Sequence, residues 1–368
     1  MLRISSLLLF LLPFTCVAQF IISGKVVNID TKAAVTDASV FLSNATVGAK
    51  STENGSFILN NVRQGQYDLV ISVVGYETFH RTIMVNGDLS LQTLAISAKT
   101  IQLKEVKIAP NMNWQRDYET FKRLFLGSSE NAAQCKILNS DLLSFDFDPS
   151  AKVFTATASD FLEIENKALG YRLKYLMSAF SNEHKSGLLY VEGSILFEEL
   201  KGSKAQQKRW QKKRLETYKG STMHFLRSSI KNNWKKDGFV VLRLIRKPNP
   251  SYKGGLNNKY IETLITAPLT VNNVVLQTTV KGEFALGYTD CLYVLYNPQK
   301  FNEIKTPSVP DYLKEESRTI IAFLEPYAYF DNNGIIINPR STIYEGAWAR
   351  GGVADLLPVD YVPAVEQK

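Results

Sequence analysis

Histidine is scarce in this chain, with only His80, His184 and His224 among 368 residues. Cysteine is equally scarce, with Cys16, Cys135 and Cys291. A zinc peptidase takes its metal from a His followed three residues later by Glu, or from His-Glu-x-x-His. The residues three beyond the histidines are Ile83, Gly187 and Arg227, so neither pattern exists. Cys135 and Cys291 stand 156 residues apart, which is not a zinc-finger spacing. Also missing are the Gly-x-Ser-x-Gly elbow, the phosphate-binding Gly-x-x-x-x-Gly-Lys run and the Gly-x-Gly-x-x-Gly dinucleotide fingerprint. No cofactor or metal is therefore expected, and acid–base chemistry would have to rest on carboxylates. A carboxylate pair of the glycosidase kind leaves no signature in a single sequence. Past the first 18 residues, no stretch is apolar for the ~20 residues a membrane helix needs.

What stands at the N-terminus is a short apolar segment. Arg3 supplies a positive charge, Leu7 to Phe14 an apolar run, and Cys16-Val17-Ala18 small residues. Residues 1–18 read as a secretory signal peptide. Acylation of the Cys16 thiol is the other reading, but Pro13-Phe14-Thr15 lacks the Leu and small-residue pattern lipidation requires, which favours cleavage after Ala18. Export implies the periplasm, or association with the outer membrane, of a Gram-negative bacterium. It also places Cys135 and Cys291 in an oxidising compartment, where they can pair. The pairing is expected here, with two buried free thiols as the alternative.

The other 350 residues exceed one ordinary core and suggest two domains. From Ile21 onward the chain is written in strands: Ile22–Val27, Ser39–Leu42, Ser56–Leu59, Tyr67–Val74, Thr78–Val85 and Leu89–Ile96. Period-two alternation is clearest at Tyr67, Leu69, Ile71 and Val73. Asn54-Gly55 is a strong hairpin signal, expected as a two-residue type I′ turn. Lys99 to Ile108 alternates as an exit strand, and Ala109-Pro110-Asn111 marks a boundary. His80 falls in the strand pattern as a surface residue.

Ser23-Gly24-Lys25-Val26, Ala38-Ser39-Val40, Thr52 to Phe57, Gly65-Gln66-Tyr67 and Val73-Val74-Gly75-Tyr76 together resemble the carboxypeptidase-regulatory-like domain. That resemblance implies a seven-stranded, transthyretin-like Greek-key sandwich over residues 19–108. It names a fold and not a reaction. Such modules precede outer-membrane receptors in related architectures, which implies contact with envelope proteins. The whole layout, ending near Leu356-Leu357-Pro358-Val359-Asp360-Tyr361, is similar to a group of two-part exported bacterial proteins with no assigned activity.

Residues 109–368 read as a larger α+β domain of mostly antiparallel strands. Trp114, Tyr118, Phe121, Leu124 and Phe125 recur at helical spacing before Gly127. Leu143–Asp148, Lys152–Ala158, Tyr171–Phe180, Leu188–Leu200, Tyr260–Thr266, Asn273–Val280 and Cys291–Tyr296 read as strands, and Asn333-Gly334 as a hairpin turn. Asp331 and Asn333 suggest part of a calcium loop but lack its other acidic ligands, so a plain turn is expected. His184 lies in a polar loop, and His224 is expected to be partly buried with one hydrogen bond.

Charge is strongly uneven. Lys201 to Lys219 is net +7, and Gly220 to Lys247 net +6, against +8 for the whole chain, so the remainder is net acidic. Lys208, Arg209, Lys212, Lys213 and Arg214 are the candidate anion-binding face, with a solvated helix as the bland alternative. Ser221 can cap a following helix with Met223, Leu226 and Ile230 on one stripe, closed by Gly238. Trp210, Tyr218 and Trp234 interleave with the cations, a pattern seen in nucleic-acid binding. Export argues against nucleic acid, leaving an envelope protein, an acidic glycan or a lipid head group as partner. The expected function is a non-enzymatic envelope binding or accessory protein. The alternative is a carbohydrate-active or peptide hydrolase with a carboxylate pair in the second domain.

Overall fold

The computed structural model describes residues 19–99, 113–254, 259–296 and 318–363. The expected signal segment, nearly all of the expected Lys99–Ile108 exit strand and the expected Ala109–Asn111 boundary lie outside these residues.

The first region is a sandwich of seven strands: β1 (Gln19–Asn28), β2 (Ser39–Leu42), β3 (Gly48–Lys50), β4 (Ser56–Arg63), β5 (Gly65–Ser72), β6 (Phe79–Val85) and β7 (Leu89–Ile96). One sheet has the order β4-β1-β7 and the other β3-β2-β5-β6. Alternation decides which side chains enter: Tyr67, Leu69 and Ile71 meet Ile22, Val26, Phe57 and Leu59 in one core. β3 escaped the sequence reading because its three residues carry no alternation and sit at an edge. The Asn54-Gly55 turn differs from expectation. Gly55 has φ +81°, while Asn54 has no positive φ. The turn joins β3 to β4, which belong to different sheets. Gly55 N–H bonds to Thr52 O at 2.8 Å, and Asn54 Oδ1 accepts from Ser56 N–H at 3.0 Å. This loop crosses between layers and is not a two-residue hairpin.

The second region begins with α1 (Trp114–Leu126), which ends at Gly127 with φ +89°. Phe121 and Phe125 stack at 4.7 Å and meet Phe180 and Tyr175 of the sheet at 4.8 and 4.9 Å. That sheet comprises β8 (Cys135–Ile137), β9 (Leu143–Asp148), β10 (Val153–Ala158), β11 (Leu162–Asn166), β12 (Tyr171–Glu183) and β13 (Leu188–Glu199). Its order is β8-β11-β12-β10-β9, with β13 paired to β12 along its length. Helices α2 (Lys204–Tyr218), α3 (Thr222–Ile230) and α4 (Trp234–Asp237) follow. Ser221 caps α3 as expected, accepting from His224 N–H, but the single helix expected to run on to Gly238 is broken at Asn232, with φ +52°, and Gly238 ends the separate α4 at φ +86°.

A five-stranded sheet then takes β14 (Phe239–Pro248), β15 (Tyr260–Ile265), β18 (Cys291–Tyr296), β19 (Arg318–Phe323) and β21 (Thr342–Gly346) in the order β15-β14-β18-β19-β21. A small sheet of β16 (Val275–Gln277), β17 (Glu283–Leu286) and β20 (Ala328–Asp331) packs beside α3 around Phe225, Leu286 and Phe330. No helix among the described residues is long and apolar enough to cross a membrane.

The two regions are joined by polar contacts. Arg227 of α3 donates to the carbonyls of Asn333 (2.8 Å), Tyr361 (2.9 Å) and Val359 (2.7 Å). Those same segments grip the sandwich. Val359 N–H bonds to Asn44 O at 2.7 Å, Arg63 donates to Asp360 O at 2.7 Å, and Asn333 Nδ2 donates to Gln66 O at 2.7 Å. Thr46 donates to the Asp360 carboxylate through both N–H and hydroxyl. The sandwich also reaches β13 directly: Asn44 N–H bonds to Ile195 O at 2.7 Å and Phe197 N–H to Ala45 O at 2.9 Å.

A Cβ at Gly55 would strike the Val26 carbonyl oxygen, and its φ disfavours any β-branched residue. Gly55→Val is expected to destabilise the fold by about 2–4 kcal/mol. A urea midpoint unchanged from wild type would contradict this.

Candidate functional site

The expected anion-binding face is only partly free. Helix α2 is fixed by its inner side, where Trp210 donates to Lys167 O at 3.0 Å and covers Gly170, leaving no room for a Cβ there. Arg214 lies on that same inner side and is buried. Its guanidinium sits 3.8 Å over the Tyr171 ring and donates to Leu169 O (2.8 Å), Gly170 O (3.2 Å) and Glu199 (2.7 Å). Lys213 bonds to Glu130 at 3.0 Å and lies 3.7 Å from Glu216, and the Glu130 hydrogen bond raises its pKa. Both residues therefore leave the proposed face. A residue that is buried to satisfy carbonyls has no charge to offer a ligand.

Lys208, Arg209 and Lys212 remain on the outer side of α2, all exposed. Lys212 lies 3.9 Å from Glu216 but is 81% exposed, a contact of little energy. Lys208 and Arg209 have no ion pair among the described residues. The interleaved aromatics do not form a stacking platform. Trp210 anchors the helix, Tyr218 is buried, and Trp234 is buried with its indole N–H on Ser229 at 2.8 Å.

A long open cleft of about 2270 Å³ runs between the two large sheets. Leu188 to Gly193 of β13 form one wall, and Arg246, Glu262 and Glu345 stand on the other. Here two carboxylates do converge. Arg246 Nε donates to Glu262 at 2.8 Å, and its two terminal nitrogens bind both Glu345 oxygens at 2.6 and 2.7 Å. The Arg246 hydrogen bonds hold the Glu345 carboxyl below its ordinary range. A glycosidase acid must carry a proton near neutral pH. Glu345, clamped on that guanidinium, is held ionised and does not supply it. Sequence could have offered this cluster only through register, since Arg246 and Glu262 face each other across the β14–β15 ladder.

Among the described residues Asp331 is the one carboxyl pushed upward, to about 6, chiefly by burial. Its Oδ1 accepts from Asn333 N–H (3.0 Å) and Ile335 N–H (2.9 Å), closing its own turn. It is absent from the cleft wall, and the calcium-loop hint resolves into this turn. No group of three metal-ligating side chains occurs among the described residues. His80 pairs with Asp68 at 2.8 Å on the surface, His184 is exposed, and His224 Nδ1 accepts from Gly220 N–H at 3.1 Å.

The expected disulfide is not formed. Cys135 and Cys291 are free thiols, one on β8 of the first large sheet and one on β18 of the other. An oxidising compartment would make pairing chemically allowed, but only proximity makes a bond. Burial pushes the Cys135 thiol up to about 12.

The CarboxypepD_reg-like domain family matches residues 22–108, and the sandwich is such a domain. No curated protein matches the chain. Among solved structures, a type II cohesin–X-dockerin complex from Acetivibrio cellulolyticus is 23% identical with a TM-score of 0.20. That match covers 22% of this chain and 58% of that one, so the chain spans little more than half of it. The group B streptococcus pilus 2b backbone protein is 16% identical over 22% of this chain and 42% of that one, with a TM-score of 0.20. A DUF3823 family protein from Bacteroides uniformis is 9% identical over 76% and 88%, with a TM-score of 0.17.

Thiol counting on the denatured, unreduced protein without residues 1–18 is expected to find both Cys135 and Cys291 free. In the native state at pH 8, Cys135 should alkylate roughly 10³-fold more slowly than a free cysteine. A count of zero would establish the bridge instead.

Asp331 also sets a pH dependence. Its carboxyl holds a proton more tightly folded than unfolded, so its contribution favours the fold at low pH. That contribution is lost as pH rises from 3.8 to about 6. Asp331→Asn keeps an acceptor for the turn and removes the buried charge. It is expected to gain about 1–3 kcal/mol over wild type at pH 7.5, and little at pH 3.5. A pH-independent difference between the two unfolding curves would contradict this.

Proposed function

We propose that the chain is an exported, non-catalytic binding or accessory protein of the bacterial envelope, periplasmic or attached to the outer membrane. The observation that carries this is the outer face of α2. Trp210 and Arg214 lock the helix onto the sheet, and Lys208, Arg209 and Lys212 are presented together to solvent. Cations held on a rigid element, with no partner beyond the weak, exposed contact of Lys212 with Glu216, raise the local concentration of anionic groups. Acidic glycan, acidic lipid head group and acidic protein surface share that chemistry. The first 18 residues support export. The Arg246 clamp on Glu262 and Glu345 speaks against a carboxylate-pair hydrolase in the cleft.

Binding of this kind weakens as salt rises, because the screening length is about 8 Å at 0.15 M ionic strength. Arg209→Glu with Lys212→Glu reverses the face without touching Trp210 or Arg214. The fold should survive, since exposed charges contribute about 0–1 kcal/mol. Retention on heparin and on phosphatidylglycerol vesicles is expected to fall several-fold. Retention unchanged by both salt and the double substitution would reduce the face to a solvated helix.

A further inference from the structure

We propose that the outer edge of β13 accepts an extended peptide segment of another protein, whose side chains alternate apolar and polar. The site is separate from the basic face of α2 and goes beyond the function argued above.

One side of β13 is fully used, paired antiparallel with β12 over Leu188 to Glu199. Its other side already accepts main chain, but only at one end. Ala45 of the sandwich bridges Leu196 in parallel, through bonds to Ile195 O and Phe197 N–H. Strand groups point alternately to the two sides. If Ile195 and Phe197 face outward, so do Leu189, Val191 and Gly193. The outward N–H and C=O groups of those three have no main-chain partner among the described residues. The vacant stretch is thus the direct continuation of an edge contact the molecule already makes.

Proteins ordinarily blunt such an edge with Lys, Pro or a covering loop. Leu188 to Gly193 contains neither Lys nor Pro, and Leu188 and Leu189 are 37% and 40% exposed. The stretch opens into the cleft, whose far wall includes the edge strand β21 and exposed Leu324 and Leu356. Main-chain bonds would supply affinity and alternate side-chain positions the selectivity.

The two faces of β13 fix the pattern of the occupant, because cross-strand neighbours share a face. Val191 packs toward the core built on Ile195 and Phe197, so one face of an added strand is apolar. On the opposite face, Tyr190 donates to Glu192 at 2.6 Å and Arg340 lies 4.4 Å over the Tyr190 ring, so that face is polar. A second copy of this chain would bring its own flanking strand into a cleft walled on both sides. A single extended segment fits that constraint.

The test uses the full mature protein and a fluorescein-labelled probe, Lys-Val-Thr-Val-Thr-Val-Thr-Lys. Saturable binding is expected below about 1 mM. Two further probes carry N-methyl groups on alternate amides, in the two possible phases. One phase should lose about tenfold in affinity and the other should not. Val191→Pro, which removes one outward N–H from an edge strand, should weaken the parent probe about tenfold. Arg209→Glu with Lys212→Glu should leave it unchanged, which separates this site from the basic face. Absence of saturable binding, or equal loss in both methylated phases, would overturn the proposal. So would a dimer of the protein that the probe dissociates, since the occupant would then be a second copy.

Discussion

Arg227 is the contact on which the arrangement of the whole molecule depends. Its guanidinium gives three hydrogen bonds to main-chain carbonyls, at Asn333, Val359 and Tyr361. The fork geometry of arginine suits this, since one rigid group reaches acceptors on two separate segments. Both segments then turn to the sandwich, through Asn333 to Gln66 and through Val359 and Asp360 to Asn44, Thr46 and Arg63. The terminal Leu-Pro-Val-Asp-Tyr stretch is therefore a strap between two cores. Asp331 lies buried beside this junction, where Arg227 lowers its pKa only slightly against the larger effect of burial.

The basic half of the second region shows why clustered charge is a poor measure of available charge. Three of its arginines have structural work. Arg214 satisfies the carbonyls at Leu169 and Gly170, Arg227 holds the strap, and Arg246 clamps two carboxylates. The residues left to solvent on α2 are chiefly lysines, as their flexible, strongly hydrated ammonium groups favour. A count of net charge treats these two populations alike. The geometry separates them.

Much of the fold was legible because it follows local rules. Period-two alternation placed six of the seven sandwich strands, and helical spacing placed α1 with its aromatic face. Helix α2 was legible mainly as charge, because its inner side is Trp210, Arg214 and Tyr218 and carries no clean apolar stripe. The short strands β8, β11, β17, β19 and β21 were missed, since three to six residues give too few alternations, and the ten-residue β14 was read only as part of the basic run. What stayed hidden was long-range. The Arg227 strap spans more than a hundred residues, and the two thiols fell in different sheets. Neither separation nor compartment encodes proximity. The candidate site divides the same way: the sequence located the cations, and only packing showed which of them are spent.

The sandwich's own contribution follows from where it touches the neighbouring sheet. Asn44 adopts φ +60° in the loop after β2, an uncommon conformation that asparagine tolerates. That loop delivers Asn44 N–H to Ile195 and Ala45 O to Phe197, while Asn44 O receives Val359 N–H. A single tight loop thus closes part of an exposed strand edge and anchors the strap at once. Gly48, just beyond it, lies so close to Leu196 that a Cβ would crowd both methyl groups. The domain therefore serves as a wall of the larger region, with its β2–β3 loop as the contact. A domain held so closely at one end of β13 leaves the rest of that edge in a fixed position. A fixed edge is what recognition by main-chain pairing requires, because a strand that moved would lose its register with each incoming residue.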